Sequence, residues 1–507
     1  MSYEYGKLQN GSDIRGVALA LDPAKKVNLD GVAASRLAEG FLYLLTQRTN
    51  KNPRQLRIVI GRDSRLSGPN LANAAATALA ARGACVLNAG LASTPAMFMA
   101  CVLPDFQCDG AIMLTASHLP ADRNGMKFFT KDGGLNKGDI TDIINFAESS
   151  SLLGQLGTGQ GSQEPCPLME AYAAHLRTLI CNGLEGGAAP LQGLSITVDA
   201  GHGSGGFYAE KVLAPLGADV SSSQFLTPDG TFPAHAPNPE DPAAMASICQ
   251  RVQESGSDLG LIFDTDVDRV SAVDEKGREI NRNAIVAVAS ALVAKDHPGT
   301  TVVTDSVTSD HLTTFLEKEL GLSHLRYQRG YRNVITKAQA LCQAGQPCDL
   351  AIETSGHAAF RDNYFLDDGA YLATRIVIEA ARLKAEKKGF STLVASLGSP
   401  ADYGEVRIPI TSDTYPEDGQ MVLDYLTSLV EAGNMKGCRL HKPNYEGVRV
   451  DFAIPEIQGW LLLRKSLHDP LLSMTMESDV AGGCTLIRQV MLPLLSGFGF
   501  LDLCPLQ

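Results

Sequence analysis

A repeated pattern constrains this 507-residue chain more than any other feature. Short apolar runs stop abruptly in polar loops. Residues 57–60 run into GRDSRLSG, 111–114 into TASH, 195–198 into DAGHGSGG, 259–263 into DTDVDR, 301–303 into TDSV and 349–352 into ETSGH. Runs this short and rich in Val and Ile read as buried strands. Alanine-rich segments such as 71–81 and 283–294 lie between them with helical character. Strand alternating with helix predicts α/β layers built on largely parallel sheets. In such sheets ligands collect outside the carboxyl ends of strands, and all six loops begin there.

At about 150 residues per domain the length predicts three to four domains. The Gly-, Ser- and Gln-rich stretch 149–167 reads as a linker or surface insert. HPGTT near His297 and SLGSPADYG near Ser396 mark two further breaks. The resulting segments are 1–165, 166–298, 299–400 and 401–507. The last carries strand-like runs at 448–451 and 460–463 and a helix-like stretch at 480–495, which predicts a small α+β unit.

Hydrophobic residues make up 44% and charged residues 20%, ordinary globular usage that argues against disorder. The formal charge of −13 opposes sequence-independent binding to nucleic acid or to anionic membrane, so neither is an expected partner. A small anionic substrate then needs locally clustered basic side chains. The longest apolar stretch, 284–294, is too short to span a bilayer. The start of the chain has neither a secretory nor a transit pattern, which predicts a cytoplasmic protein. A chain already relieved of a transit peptide reads the same way, so an organelle stroma stays open. The 11 cysteines include no CxxC pair and read as reduced thiols.

Four loops carry the chemistry. LTASHLPADRNGMKFF presents Ser117 and His118 just past a strand, with Lys127 ten residues on. A lone serine there is ordinarily a turn residue; with a base or metal beside it, it becomes a nucleophile. LIFDTDVDRV places Asp264, Asp266 and Asp268 in alternation, so in an extended loop they point partly the same way. Three carboxylates so close repel unless a cation neutralises them, and hard oxygen ligands suit Mg²⁺. Arg269 adds a planar donor suited to phosphate. AIETSGHAAF offers Glu353 and Ser355 for sugar hydroxyls and His357 for proton transfer near neutral pH. WLLLRKSLHDP sets Arg464, Ser466 and His468 after a strand as an anion cradle, and GSDIRG puts Arg15 in a loop near the start. Serine, metal loop, sugar loop and distal phosphate cradle together point to phosphoryl transfer on a phosphorylated sugar.

With these residues in place, the sequence resembles the α-D-phosphohexomutase superfamily, in particular its phosphomannomutase/phosphoglucomutase branch. TASHLPADRNGMKFF is similar to the family's phosphoserine loop, DTDVDR to its Mg²⁺ loop, ETSGH to its sugar-binding loop and RKSLHDP, more weakly, to its C-terminal phosphate loop. GSDIRG, GRDSRLSG, PDGTFPAHAPNPE, FLDDGAY and EGVRVDF match in the family order. The resemblance implies three similar mixed α/β domains plus a smaller C-terminal α+β domain around a central cleft. It implies that Ser117 carries a phosphoryl group exchanged with a hexose monophosphate through a hexose 1,6-bisphosphate, which also serves as activator. Asp264, Asp266 and Asp268 would hold Mg²⁺ together with a phosphoserine oxygen. Lys127, Arg269 and His357 would be acid/base and charge-stabilising groups. Glu353 and Ser355 would grip sugar hydroxyls, Arg464 and Ser466 the distal phosphate with help from Arg332, and Arg15 and His118 would line the reacting end. The expected partner is a small phosphosugar, handled by a monomer or a dimer.

The sequence departs from the family pattern at Leu119 and Ile352, and at His468 and Asp469 in the C-terminal loop. The two C-terminal departures leave sugar preference open among glucose, mannose and glucosamine or N-acetylglucosamine phosphates. Two rival readings remain. LIFDTDVD also fits a haloacid-dehalogenase-type hydrolase, with Asp264 as nucleophile and Asp266 as acid, but that leaves three loops without a role. A non-catalytic sugar-phosphate binder would need Ser117 or an aspartate to be missing, and none is.

Overall fold

The computed structural model describes residues 4–184, 187–466 and 469–506. It divides into two compact units. The first comprises 1–296, 349–351 and 355–395; the second comprises 297–348, 352–354 and 396–507. The division runs through the strand Cys348–Ile352, so Glu353 belongs to the second unit and Ser355 to the first.

The first unit opens with an eight-stranded sheet. Its path runs Gln9–Asn10, Asp13–Val17, Arg123–Thr130, Gly110–Leu114, Arg57–Arg62, Cys85–Leu91 and Gln163–Pro165, with Gly133–Gly134 paired off the path. The central strand Arg57–Arg62 is parallel to both neighbours. Gly110–Leu114 pairs antiparallel with Arg123–Thr130, which pairs antiparallel with Asp13–Val17. The sheet is therefore mixed rather than largely parallel. The physical reason is the turn at Pro120: it brings the chain back beside the strand it has just left, and a short connection of that kind allows only antiparallel pairing. Helices Gly31–Thr49 and Gly68–Ala81 cover one face, where Phe41, Leu45, Ile58 and Ile112 share a core.

Of the linker or surface insert expected at 149–167, free linker is corrected: the stretch is an ordered, mostly exposed segment. Ser150–Gly154 is a helix, and Gln163–Pro165 joins the sheet beside Cys85–Leu91. Gly161 makes this possible: a Cβ there would lie 2.0 Å from the Ala84 carbonyl oxygen. A polar composition thus serves backbone proximity here and not free chain.

The second sheet of this unit runs Glu279–Ile280, Val270–Val273, Leu259–Phe263, Ile196–Asp199. Every residue of Leu259–Phe263 is buried, as a continuous apolar run requires. The helix Pro242–Ser255 feeds that strand. Asp241 caps it by accepting from the amides of Ala243 and Ala244, Pro242 fits its first turn, and Gly256 at φ +67° ends it.

In the second unit Thr301–Thr304 pairs parallel with Ser323–Arg326. A five-stranded antiparallel sheet follows in the order Asp402–Pro409, Leu471–Ser478, Gly459–Lys465, Val448–Phe452, Cys438–Leu440. Helices Tyr415–Glu431 and Gly483–Leu495 complete its core with Leu426, Leu461, Met474 and Ile487. Buried Arg449 joins this sheet to the segment after Thr301–Thr304. It stacks 3.7 Å from the Trp460 ring centroid and donates to the carbonyls of Ser306 and Thr308 and to Asp310.

All 11 cysteines are free thiols. No helix among the described residues is long and apolar enough to cross a membrane.

Candidate active site

In the first unit two strand ends deliver the reacting groups to one place. Ser117 follows Gly110–Leu114, and the three aspartates follow Leu259–Phe263. The Ser117 hydroxyl donates to Asp264 Oδ2 at 2.9 Å and accepts from Arg269 Nη2 at 3.2 Å. Ser117 itself has φ +48°. A serine held in the left-handed region costs about 1–3 kcal/mol and persists only where surrounding contacts fix it.

Asp264, Asp266 and Asp268 lie with carboxylate oxygens within 4.8 Å of one another, all buried. They converge through a tight turn and not through the extended alternation expected, because Val267 sits at φ +67° between them. Lys127 Nζ contacts Asp268 Oδ2 and lies 3.3 Å from Asp266 Oδ2. Burial opposes the Lys127 charge, but Asp266 and Asp268 outweigh it and hold its pKa well above the usual lysine value. Burial, then Asp268 and Asp266, push Asp264 well above the carboxylate range. Burial also works against Asp268, but the Lys127 charge overcomes it and keeps that group ionised. Three carboxylates thus face two close cations, Lys127 and Arg269. Asp266 Oδ1 and Asp268 Oδ1 are buried and accept no hydrogen bond. Unpartnered buried carboxylate oxygens beside an excess of negative charge fit a hard divalent cation.

Arg269 is buried and multiply bonded. Its Nε and Nη2 reach Asp264 Oδ2, its Nη1 reaches Asn238 Oδ1 at 3.1 Å, and its Nη2 lies 2.8 Å from His118 Nδ1. His118 keeps an exposed edge. Its pKa falls through burial and then through Arg269 and Arg15, and the exposed edge gives the two guanidiniums the greater weight. A neutral ring with Nδ1 accepting is consistent with that contact. His357 lies with Nδ1 2.8 Å from Ser355 Oγ and Nε2 3.7 Å from Asp268 Oδ1. Burial pushes it down to about 3 against the pull of Asp268. Arg15 donates to the Thr115 carbonyl and to Asp13, two residues upstream of Ser117 in the first case.

The other expected residues lie in the second unit. Glu353 Oε1 accepts from the Gly330 amide at 2.7 Å. Arg332 stands on the helix Tyr331–Gln343 with its Nε buried and unpartnered. Arg464 is buried inside the strand Gly459–Lys465 and not after it as expected, again with an unpartnered Nε. Burial, then Arg329, lowers its pKa. Two guanidiniums that raise each other's cost favour an anion between them. Ser466 Oγ accepts from the Asp469 amide at 3.2 Å. His468 lies outside the described residues.

Several neighbours of the site were not singled out from sequence. Thr94 binds Asp266 by amide and hydroxyl, and Asn238 and Glu240 address Arg269. Glu446 accepts from Ser306 and from the Arg329 amide, while Asp305 takes Thr354. PDGTFPAHAPNPE and EGVRVDF signalled two of these segments but not the side chains that matter. Nothing local marks Thr94.

Comparison with known proteins decides the family. Models of the phosphoglucomutase/phosphomannomutase α/β/α domains I, II and III match residues 6–150, 170–277 and 281–399 in turn. The chain belongs to this family. It is a phosphohexomutase, an isomerase of three α/β/α domains followed by a further sheet domain. A phosphomannomutase/phosphoglucomutase of Pseudomonas putida is 28% identical over 425 residues, 83% of this chain and 84% of that one. A phosphoglucosamine mutase of Symbiobacterium thermophilum is 32% identical over 348 residues, 67% of this chain and 72% of that one. Among solved structures, a phosphoglucomutase/phosphomannomutase family protein from Burkholderia thailandensis superposes with a TM-score of 0.77 at 25% identity, covering 96% of each chain.

Proposed function

We propose that this phosphohexomutase interconverts the 1- and 6-phosphates of glucose and of mannose through a phosphoryl group carried on Ser117, with Mg²⁺ as its metal and hexose 1,6-bisphosphate as its activator. The observation that carries the reading is the Ser117 hydroxyl, 2.9 Å from Asp264 and 3.2 Å from Arg269 beside three buried aspartates. Bound Mg²⁺ would supply positive charge to the transferring phosphoryl oxygens.

The chain's own residues then divide the work. Arg269 orients the oxygen that accepts or releases the phosphoryl group, and its fork suits phosphate. Lys127, held charged, and His357, held neutral, are the groups that exchange a proton with the sugar hydroxyl at attack and departure. Ser355 fixes the His357 ring from its Nδ1 side. Arg15 and His118 line the serine's surroundings. Glu353 and Ser355 are each assigned to sugar hydroxyls. Arg464, Ser466 and Arg332 hold the phosphate that is not reacting. The four segments 1–165, 166–298, 299–400 and 401–507 carry these loops in order.

Glucose and mannose differ only at C2. If Glu353 reads hydroxyls common to both, the two substrates differ in kcat/KM by less than about 10³, or roughly 4 kcal/mol. Phosphorus NMR tests this with Mg²⁺, a trace of glucose 1,6-bisphosphate and each hexose 1-phosphate in a separate tube. Both 6-phosphates should appear. Release of inorganic phosphate instead would contradict the reading, and turnover of glucosamine 1-phosphate alone would move the substrate to the amino sugars of the Symbiobacterium relative.

A further inference from the structure

We propose that Arg65 is the positioning residue for the loop that carries Ser117, an assignment that rests on the mutase reading of that serine. Arg65 is fully buried. Its Nη2 donates to the carbonyls of Ser117 and Leu119, the latter at 2.6 Å. Its Nη1 donates to the carbonyls of Pro120 at 2.7 Å and Arg123 at 3.0 Å. Its Nε donates to Asp63 Oδ2 at 3.1 Å, while the Arg65 amide donates to Asp63 Oδ1 at 2.9 Å. A guanidinium has five donor hydrogens, and here all five are engaged. Four of them hold carbonyls between Ser117 and Arg123.

Residues 117–122 are neither helix nor strand, and Arg123 opens the strand Arg123–Thr130. A turn bond from the Arg123 amide reaches the Pro120 carbonyl, but buried carbonyls outside helix and strand otherwise need a side-chain partner. Arg65 supplies it from a single rigid plane, so the four oxygens are fixed relative to one another. The left-handed φ of Ser117 is thereby overdetermined, and the direction of its hydroxyl follows.

A second loop holds the guanidinium in turn. The Phe232 ring centroid lies 5.3 Å from the Arg65 guanidinium carbon. Gly230 brings this loop against the Arg65 backbone, for a Cβ there would lie 2.5 Å from the Ser64 oxygen and 2.8 Å from Arg65 Cα. The same loop continues to Asn238, which binds Arg269. The arginine that shapes the serine loop and the arginine that touches the serine hydroxyl are thus anchored by one segment.

Arg65 is buried among these carbonyls and contacts no side chain assigned to sugar recognition. Its loss therefore moves the reacting oxygen and leaves sugar recognition alone. A displacement of about 1 Å costs on the order of 10²-fold in rate. Lysine keeps the charge but gathers its donors on one nitrogen, so it cannot span four carbonyls. Glutamine keeps a planar donor with two hydrogens.

The test uses Arg65→Lys and Arg65→Gln in the full chain, with three measurements. Steady-state kinetics on glucose 1-phosphate should show kcat lowered about 10²-fold with KM within threefold. Amide hydrogen exchange should rise at least tenfold within 116–124 and stay unchanged elsewhere, read without substrate. Thermal unfolding should remain cooperative. Wild-type kcat in Arg65→Lys would overturn the proposal. So would KM rising in step with the fall in kcat, general loss of protection, or failure of both variants to unfold cooperatively, since each describes a merely structural arginine. If wild-type protein turns over no sugar phosphate, the mutase reading fails by itself. The exchange pattern then still decides whether Arg65 organises the loop.

Discussion

Asp266 shows how one residue is asked to do incompatible things. One of its oxygens takes Thr94 and lies near Lys127, while the other is buried with no hydrogen bond. A divalent cation resolves that conflict. Asp266→Asn retains an acceptor for Thr94 and removes the charge. The Mg²⁺ concentration for half-maximal activity should rise about tenfold or more, with a smaller rise of the thermal midpoint on adding Mg²⁺. An unchanged Mg²⁺ titration would exclude this loop as the metal site. At this scale the sequence was partly legible. DTDVDR announces a cation because adjacent carboxylates repel whatever the fold. Thr94 and Arg65 were not legible, because their roles depend on partners 172 and 52 residues away. Only the folded chain brings those groups together.

At the scale of elements, strand ends are legible in the sequence and connections less so. A buried strand betrays itself by an apolar run, as Leu259–Phe263 does. The 149–167 stretch looked like linker because glycine also serves close packing, and composition cannot separate the two uses. Gly161→Ala should push Gln163–Pro165 off its neighbour and destabilise the first unit by about 1–3 kcal/mol in chemical denaturation. An unchanged unfolding midpoint would mean that this edge pairing contributes nothing. The strand pair of the second unit gives a pH prediction. His324 lies between Thr304 Oγ1 at 2.8 Å and Thr313 Oγ1 at 2.9 Å. Burial, then Arg326 and Arg449, lowers its pKa well below the usual histidine value. The folded state therefore refuses a proton that the unfolded state accepts. Its contribution to stability is present above the unfolded pKa of about 6.5 and is lost as pH falls below it. The loss is at most about 1.4 kcal/mol per pH unit, and smaller to the extent that solvent reaches the half-buried ring. His324→Gln, which keeps both hydrogen-bonding functions, should flatten the stability curve of the second unit between about pH 6.5 and 4.5. An identical acid limb in both proteins would show that His324 takes up its proton without cost.

For the whole molecule, the sequence order of the motifs carried more information than any motif alone. Each strand-end loop is contiguous in sequence, yet ETSGH is divided, with Glu353 in the second unit and Ser355 in the first. The α/β architecture followed from the alternation of runs, and the family matches show three α/β/α domains in the same order. The compact grouping did not follow. Asp349–Ala351 and Glu353 fall in different units although they are nearly adjacent in sequence, because tertiary contacts and not chain continuity define a compact body. In the proposed mechanism a phosphoryl group resides on Ser117 and passes to sugar. The most direct test treats the protein with glucose 1,6-bisphosphate and Mg²⁺, removes the small molecules and maps phosphorylation by peptide mass spectrometry before and after glucose 1-phosphate is added. One phosphoryl group should be found on Ser117 and be lost to sugar on addition of substrate, and neither event should occur in Ser117→Ala, whose turnover should fall about 10³-fold or more. Phosphate found on Asp264, or full turnover by Ser117→Ala, would contradict this mechanism.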